Sequence, residues 1–206
     1  MSERAFLEPA AKKRAADTVR AVEAQTAVEL VIAVRRRAER HYATCAGFGL
    51  LCGAAGLAVM WFSPRVYDVR TMPLDVLLAV VLGACVCAAV PSLERALTPK
   101  RSRERAAERA ARAAFGALGI EKTRDRSGIL AYIALFERTA VLVPDSGVPA
   151  SAVSGPLAAI QSALAAAVAE LDFEAFLTAL NRLGPACGAV LPRRPDDENE
   201  LCDDVA

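Results

Sequence analysis

Residues 42–93 read YATCAGFGLLCGAAGLAVMWFSPRVYDVRTMPLDVLLAVVLGACVCAAVPSL, and this stretch decides how the rest of the chain must be arranged. The 23 residues Tyr42–Pro64 carry no formal charge. A hydrocarbon layer about 30 Å thick takes roughly 20 helical residues to cross, so the run is long enough. Val76–Leu93 is a second uncharged run, of 18 residues. Between them Arg65–Pro73 holds the charges and has prolines at both edges, which leaves room for a loop only. Helices satisfy their own backbone groups, as a bilayer demands. The pattern predicts a two-helix transmembrane hairpin over 42–93, with helices at about 43–62 and 75–93.

Charge placement orients that hairpin. Arg35, Arg36, Arg37 and Arg40 precede it, and Arg95, Lys100, Arg101, Arg103 and Arg105 follow it, whereas the connecting loop holds Arg65 and Arg70. Basic residues stay on the cytoplasmic side, so both termini are expected there. The Arg-rich start of the segment after the hairpin would then lie near the anionic leaflet. Over the whole chain 25 basic residues balance 24 acidic ones, so no global charge points to a nucleic acid. Met1–Arg40 carries charges every few residues and lacks the apolar core of a cleavable signal peptide. Cys45, Cys52, Cys85 and Cys87 lie in the apolar runs, where a thiol behaves as a small hydrophobe. Neither they nor Cys187 and Cys202 have metal or redox spacing.

Outside the hairpin the residues alternate between helical and strand patterns. Glu8–Gln25 is an amphipathic helix candidate with Pro9 in its first turn. Ala27–Val34 (AVELVIAV) is β-branched and apolar nearly throughout, as a strand buried on both faces should be. Ser102–Leu118 has strong helix formers and one Ala/Phe115/Leu118 face. Gly128–Phe136 and Thr139–Pro144 are two further buried strands, joined by Glu137-Arg138 as an antiparallel pair. Pro156–Leu171 repeats Leu157, Ile160, Leu164 and Val168 at helical spacing. Asp172 is placed to cap a last helix, which Gly184-Pro185 would end. The first strand cannot be stable alone and is expected to complete the later sheet. This predicts an α/β domain made of 1–41 and 94–191, split by the hairpin and followed by an acidic tail over 192–206.

The chain resembles the TPM domain family. Val22-Glu-Ala-Gln-Thr-Ala-Val-Glu-Leu-Val-Ile-Ala-Val34, with Glu23, Thr26 and Glu29, is similar to the family's opening helix end and strand. Phe115–Arg138 (FGALGIEKTRDRSGILAYIALFER) resembles its middle: a helix end, a Lys-Thr loop and a buried strand running into Glu-Arg. Val141-Leu-Val-Pro-Asp145 resembles its third strand, and the stretch from Leu191 to Asp204 its Pro-rich acidic tail. The Trp that many members carry after the third strand is missing from Val148–Pro156. The resemblance implies a sandwich of helices on a small mixed sheet, in an integral protein of a bacterial inner membrane. It also implies a site for calcium or another divalent cation, or the hydrolysis of phosphomonoesters.

Glu29 and Asp145 are the candidate metal ligands. Both are expected at strand ends, where open α/β sheets bind ligands, and carboxylates suit a hard cation. The ordinary alternative has Glu29 opening a strand and Asp145 making a turn. Arg124 and Arg126, in Lys122–Gly128, could hold a phosphate, or could line a solvated turn. Cys187–Arg193 has the Cys-x5-Arg spacing of cysteine phosphatases, yet Pro192 offers no N–H and no strand precedes it. His41, the one histidine, sits at the membrane edge and Asp75 at a helix start. Gly49 and Gly53 form a small-xxx-small face for the second crossing, for another membrane protein, or for a second copy of the chain. Two nearly uncharged helices offer a transporter no polar path. With no nucleophile–base pair, P-loop or dinucleotide fingerprint in view, the expected function is a membrane-anchored interaction or scaffolding module. A metal-dependent phosphomonoesterase is the alternative.

Overall fold

The computed structural model describes residues 6–193 apart from Val66. The acidic stretch from 194, with Cys202, lies outside the described residues. The chain forms two compact units, one made by residues up to Glu39 together with those from Glu104, the other by Arg40–Arg103.

The first unit is mixed α/β. Its helices are α1 (Pro9–Glu23), α5 (Lys100–Ala117, from Glu104 on), α6 (Ala150–Glu170), α7 (Phe173–Asn181) and α8 (Leu183–Gly188). Three strands, β1 (Leu30–Arg35), β2 (Ile129–Ala134) and β3 (Thr139–Pro144), form one mixed sheet. The central strand β2 runs parallel to β1, with Leu30 opposite Ile129, and antiparallel to β3, with Ile129 opposite Pro144. The strand before the apolar insert thus pairs with one nearly a hundred residues later. Burial explains the composition of β2: every residue of ILAYIA is buried, so no position alternates to polar.

Each face of the sheet has its own core. Leu30, Ile32, Ile129, Ala131, Ile133, Ala140 and Leu142 pack with α1, α6, α7 and α8. Val31, Ala33, Leu130, Tyr132 and Ala134 pack with Ala107 and Ala111 of α5 and with Ile120. Alanines on α5 let the helix lie close against the sheet. On the first face Phe6, ahead of α1, meets Phe173 of α7 edge-on, ring centroids 5.2 Å apart. Asp172 caps α7 as expected, its carboxylate accepting the N–H groups of Glu174 and Ala175 at 3.1 and 3.0 Å.

Several boundaries differ from the expectation, each for a local reason. The strand expected at Ala27 starts at Leu30. The Thr26 hydroxyl donates to the Leu191 carbonyl and accepts the Val28 N–H, which holds 26–28 in a turn. The β2–β3 connection uses Leu135–Arg138, with Arg138 in the left-handed region at φ 54°, rather than Glu137-Arg138 alone. The Arg138 guanidinium donates to the Ala169 carbonyl at 2.8 Å and holds that turn. α6 begins at Ala150, six residues before Pro156, and passes through it. Proline removes one helix hydrogen bond there, while Val153, Leu157, Ile160 and Leu164 hold both sides to the sheet. Gly184 and Pro185 fall inside α8 rather than after the last helix, because Gly184 and Gly188 leave room for the Gln25 turn where a Cβ would not.

The second unit contains α2 (Tyr42–Phe62), α3 (Met72–Ala89) and α4 (Pro91–Leu97). α3 ends at Ala89 instead of running to Leu93, because Val90, preceding a proline, is held extended at φ −112°, ψ 92°. Pro91 then opens α4, where its missing N–H costs nothing. Gly49, next to Val80 and Ala84, and Gly53, next to Val76 and Val80, show α2 and α3 running antiparallel. Among the described residues three helices, Tyr42–Phe62, Met72–Ala89 and Ala152–Glu170, are long and apolar enough to cross a membrane. The third uses its apolar side chains in the core of the first unit.

Candidate functional site

Backbone pairing brings Glu29 and Asp145 to one end of the sheet, on either side of Gly128. The Ile129 N–H donates to the Glu29 carbonyl at 2.8 Å, and the Asp145 N–H to the Gly128 carbonyl at 2.8 Å. Continuing the alternation of β1 and β3 by one residue puts both side chains on the face that carries Ile120. This is the amino end of the parallel pair β1 and β2; only β3 finishes here. The carboxyl-end rule that suggested a ligand site at these positions therefore does not apply to them.

The loop from Gly119 to Gly128 packs over that end. Gly128 lies against Ile120, and Gly147 against the carbonyls of Asp125 and Arg126, so a Cβ at either would run into them. Gly119, at φ 68°, turns the chain out of α5 into a tight turn at Ile120–Lys122. Thr123 and Ser127 are buried beneath the loop, while Arg124 and Arg126 are exposed. Arg126 adopts φ 52°, its carbonyl accepts the Gly147 N–H at 2.9 Å, and its guanidinium lies 3.4 Å from the Ser146 hydroxyl. The structure thus draws Glu29, Asp145 and Arg126 to one end of the sheet, with Arg124 on the same loop.

Glu29 is buried, 9 % exposed. One carboxylate oxygen of Asp145, Oδ1, accepts the Ser146 N–H at 2.6 Å. The other, Oδ2, is buried and has no hydrogen-bond donor among the described residues. A buried carboxylate oxygen with an open lone pair is suited to a cation. No group of three or more His, Cys, Asp and Glu side chains with metal-binding geometry occurs among the described residues. Glu29 before β1 and Asp145 after β3 stand on either side of β2, and the open Asp145 oxygen is the feature at this end that suits a cation.

At the opposite end of the sheet lies a buried acid that spacing did not single out. Glu137, 3 % exposed, accepts the N–H groups of Ala38 and Glu39 at 3.0 and 3.4 Å. Arg37 stacks on Phe136 at 3.8 Å from the ring centroid, and Arg109 pairs with Glu39 at 2.5 Å. Burial pushes the Tyr132 phenol above its ordinary range, and the Glu137 charge acts in the same direction. These contacts hold 37–39 against the β2–β3 turn. The sequence showed Glu137 only as part of a turn dipeptide.

In the Arg40–Arg103 unit, Gly49 leaves no room for a Cβ beside the Val80 carbonyl, nor Gly83 beside Cys52 and Gly49. The Gly49/Gly53 face is therefore occupied by α3. Glu94, only 2 % exposed, accepts the His41 N–H at 3.4 Å, and the Thr98 hydroxyl donates to the Glu94 carbonyl at 2.7 Å. Asp75 lies in the first turn of α3, which starts at Met72. Cys187 is buried in the α/β core and burial pushes its thiol up, the reverse of what a nucleophilic cysteine needs.

No family model and no curated protein matches the chain. Among solved structures it is similar to the NMR structure of the BA42 protein from the psychrophilic bacterium Bizionia argentinensis. The TM-score is 0.59 at 14 % identity, over 100 % of this chain and 97 % of that one. At that identity the likeness shows the fold alone.

Proposed function

We propose that the chain is a membrane-anchored interaction module whose TPM-like α/β unit holds a divalent cation between Glu29 and Asp145, with α2 and α3 as its transmembrane hairpin. The observation that carries the anchor is an inverted distribution of side chains. The two helices bury glycines between them and turn Leu50, Leu51, Val59, Leu77, Leu82, Trp61 (77 % exposed) and Phe62 (84 % exposed) outward. So much contiguous apolar surface is unfavourable in water and is what a bilayer accommodates. Basic residues gathered where α2 begins and α3 has ended favour a cytoplasmic position for that end, in a bacterial inner membrane. The resemblance to the TPM family supports the same reading.

Carbonate extraction of membranes from expressing cells tests the anchor: the full chain stays in the pellet, and release into the supernatant overturns the reading. The cation is tested in detergent by thermal shift with calcium, magnesium and manganese. A ligand that binds only the folded state raises Tm, by about 2.7 kcal/mol of stability at a hundredfold excess over Kd. Asp145→Asn should abolish that rise, and an equal rise in the variant would remove the site from Asp145.

Arg126, beside Ser146 at the same end as Asp145, favours a second reading as a phosphomonoesterase, with the guanidinium binding phosphate. Cation-dependent release of phosphate from an aryl phosphate, lost in Asp145→Asn, would establish it.

A further inference from the structure

We propose that the end of the Arg40–Arg103 unit where α2 starts and α4 closes is a docking surface for anionic phospholipid headgroups. The inference deepens the membrane reading above and rests on it. Because α2 and α3 are antiparallel, Arg40, Arg95, Lys100, Arg101 and Arg103 gather at one end of the pair, where Glu94 is the acid within the unit and Glu39 and Glu104 border it in sequence. Glu94 is buried and its carboxylate is turned to the His41 N–H, so it does not present its charge outward. The other end carries Arg65 and Arg70 with Asp68 and Asp75, two charges of each sign. One end therefore keeps a basic excess and the other is neutral.

The apolar flanks of α2 and α3 lead to that basic end, and Val90 (40 %), before α4, and Leu97 (41 %), its last residue, are exposed there. Arg40, Lys100 and Arg101 are exposed, so their cationic heads can meet a phosphodiester while acyl chains lie along the helices. A phospholipid with a net negative headgroup fits both features at once. A zwitterionic one satisfies the apolar flank but not the charge.

The experiment reconstitutes the full chain into vesicles of phosphatidylcholine with a minority of phosphatidylglycerol. The membrane is then cut into polymer-bounded discs, and the lipid retained around the protein is quantified by mass spectrometry. The expected result is enrichment of phosphatidylglycerol over the bulk by about fivefold, the equivalent of one basic side chain at an anionic surface. The enrichment should fall to the bulk ratio in R40Q/K100Q/R101Q, whose substituted side chains are all exposed, and persist in R65Q/R70Q at the other end. Stable insertion with no enrichment, or with enrichment that the triple substitution leaves intact, overturns the docking surface and leaves the anchor standing. Failure to insert into these vesicles overturns both.

Discussion

Cys187 illustrates how one residue changes meaning with its surroundings. Its spacing to Arg193 matches a phosphatase loop, but its side chain sits in the core among α1, α6 and α8 with burial holding the thiol neutral. Alkylation by iodoacetamide at neutral pH, read by peptide mass spectrometry, should leave Cys187 unmodified in the folded protein and modify it after denaturation. The same burial sets a pH trend. A thiol whose folded pKa is raised contributes its stability in full below the unfolded pKa, and loses it as pH rises toward the folded value. Stability should accordingly decline above about pH 8.5, and Cys187→Ala should flatten that decline while costing some packing. Asp172 is the opposite case, a residue whose role spacing did reveal. Asp172→Ala should lower stability by about 1 kcal/mol, measured by chemical denaturation in detergent, because two N–H groups of α7 lose their acceptor.

At the scale of elements, glycine placement decides which helix faces can meet. Gly83→Leu would push against Cys52 and the Gly49 backbone and should cost about 1–3 kcal/mol, or separate the pair. Gly47→Ala is the control. It points into open space, so a Cβ there should be neutral or stabilise the helix by about 0.5–1 kcal/mol. Thermal unfolding of both variants in one detergent distinguishes a packing interface from a generic run of small residues. The sequence had offered Gly49 and Gly53 three partners, a second crossing, another protein or another copy. Periodicity along one helix says that a face is small, not what fills it.

For the molecule as a whole, two separately compact units predict separate unfolding transitions. Urea titration in a mild detergent should first remove the tyrosine near-ultraviolet signal of Tyr132 in the sheet. Far-ultraviolet signal from α2 and α3 should remain at urea concentrations where that of α1 and α5–α8 is gone. One concerted transition by both probes would show the units to be energetically inseparable. The sheet itself depends on a long-range pairing, since β1 precedes Arg40–Arg103 and β2 follows it. Closing a loop of that length is entropically slow, and an independently compact insert shortens the effective separation.

The apolar runs 42–64 and 76–93, the buried strands and the Asp172 cap were legible because each rests on local spacing and composition. The site was legible in part. Glu29, Asp145 and Arg126 stood out as charges beside strand ends, but their convergence around Gly128 depends on which strand lies in the middle and which way each runs. That order put them at the amino end of the parallel pair, contrary to the rule that had suggested them. Glu137 and Glu94 could not be read from spacing at all, because their partners are the backbone of Ala38, Glu39 and His41, and a backbone N–H has no sequence signature. By itself the sequence determined which segments are apolar, helical or extended, since those follow from side chains a few residues apart. Only the tertiary structure decided which faces are filled, which carboxylates are buried, and which groups meet, since those depend on contacts between residues far apart along the chain.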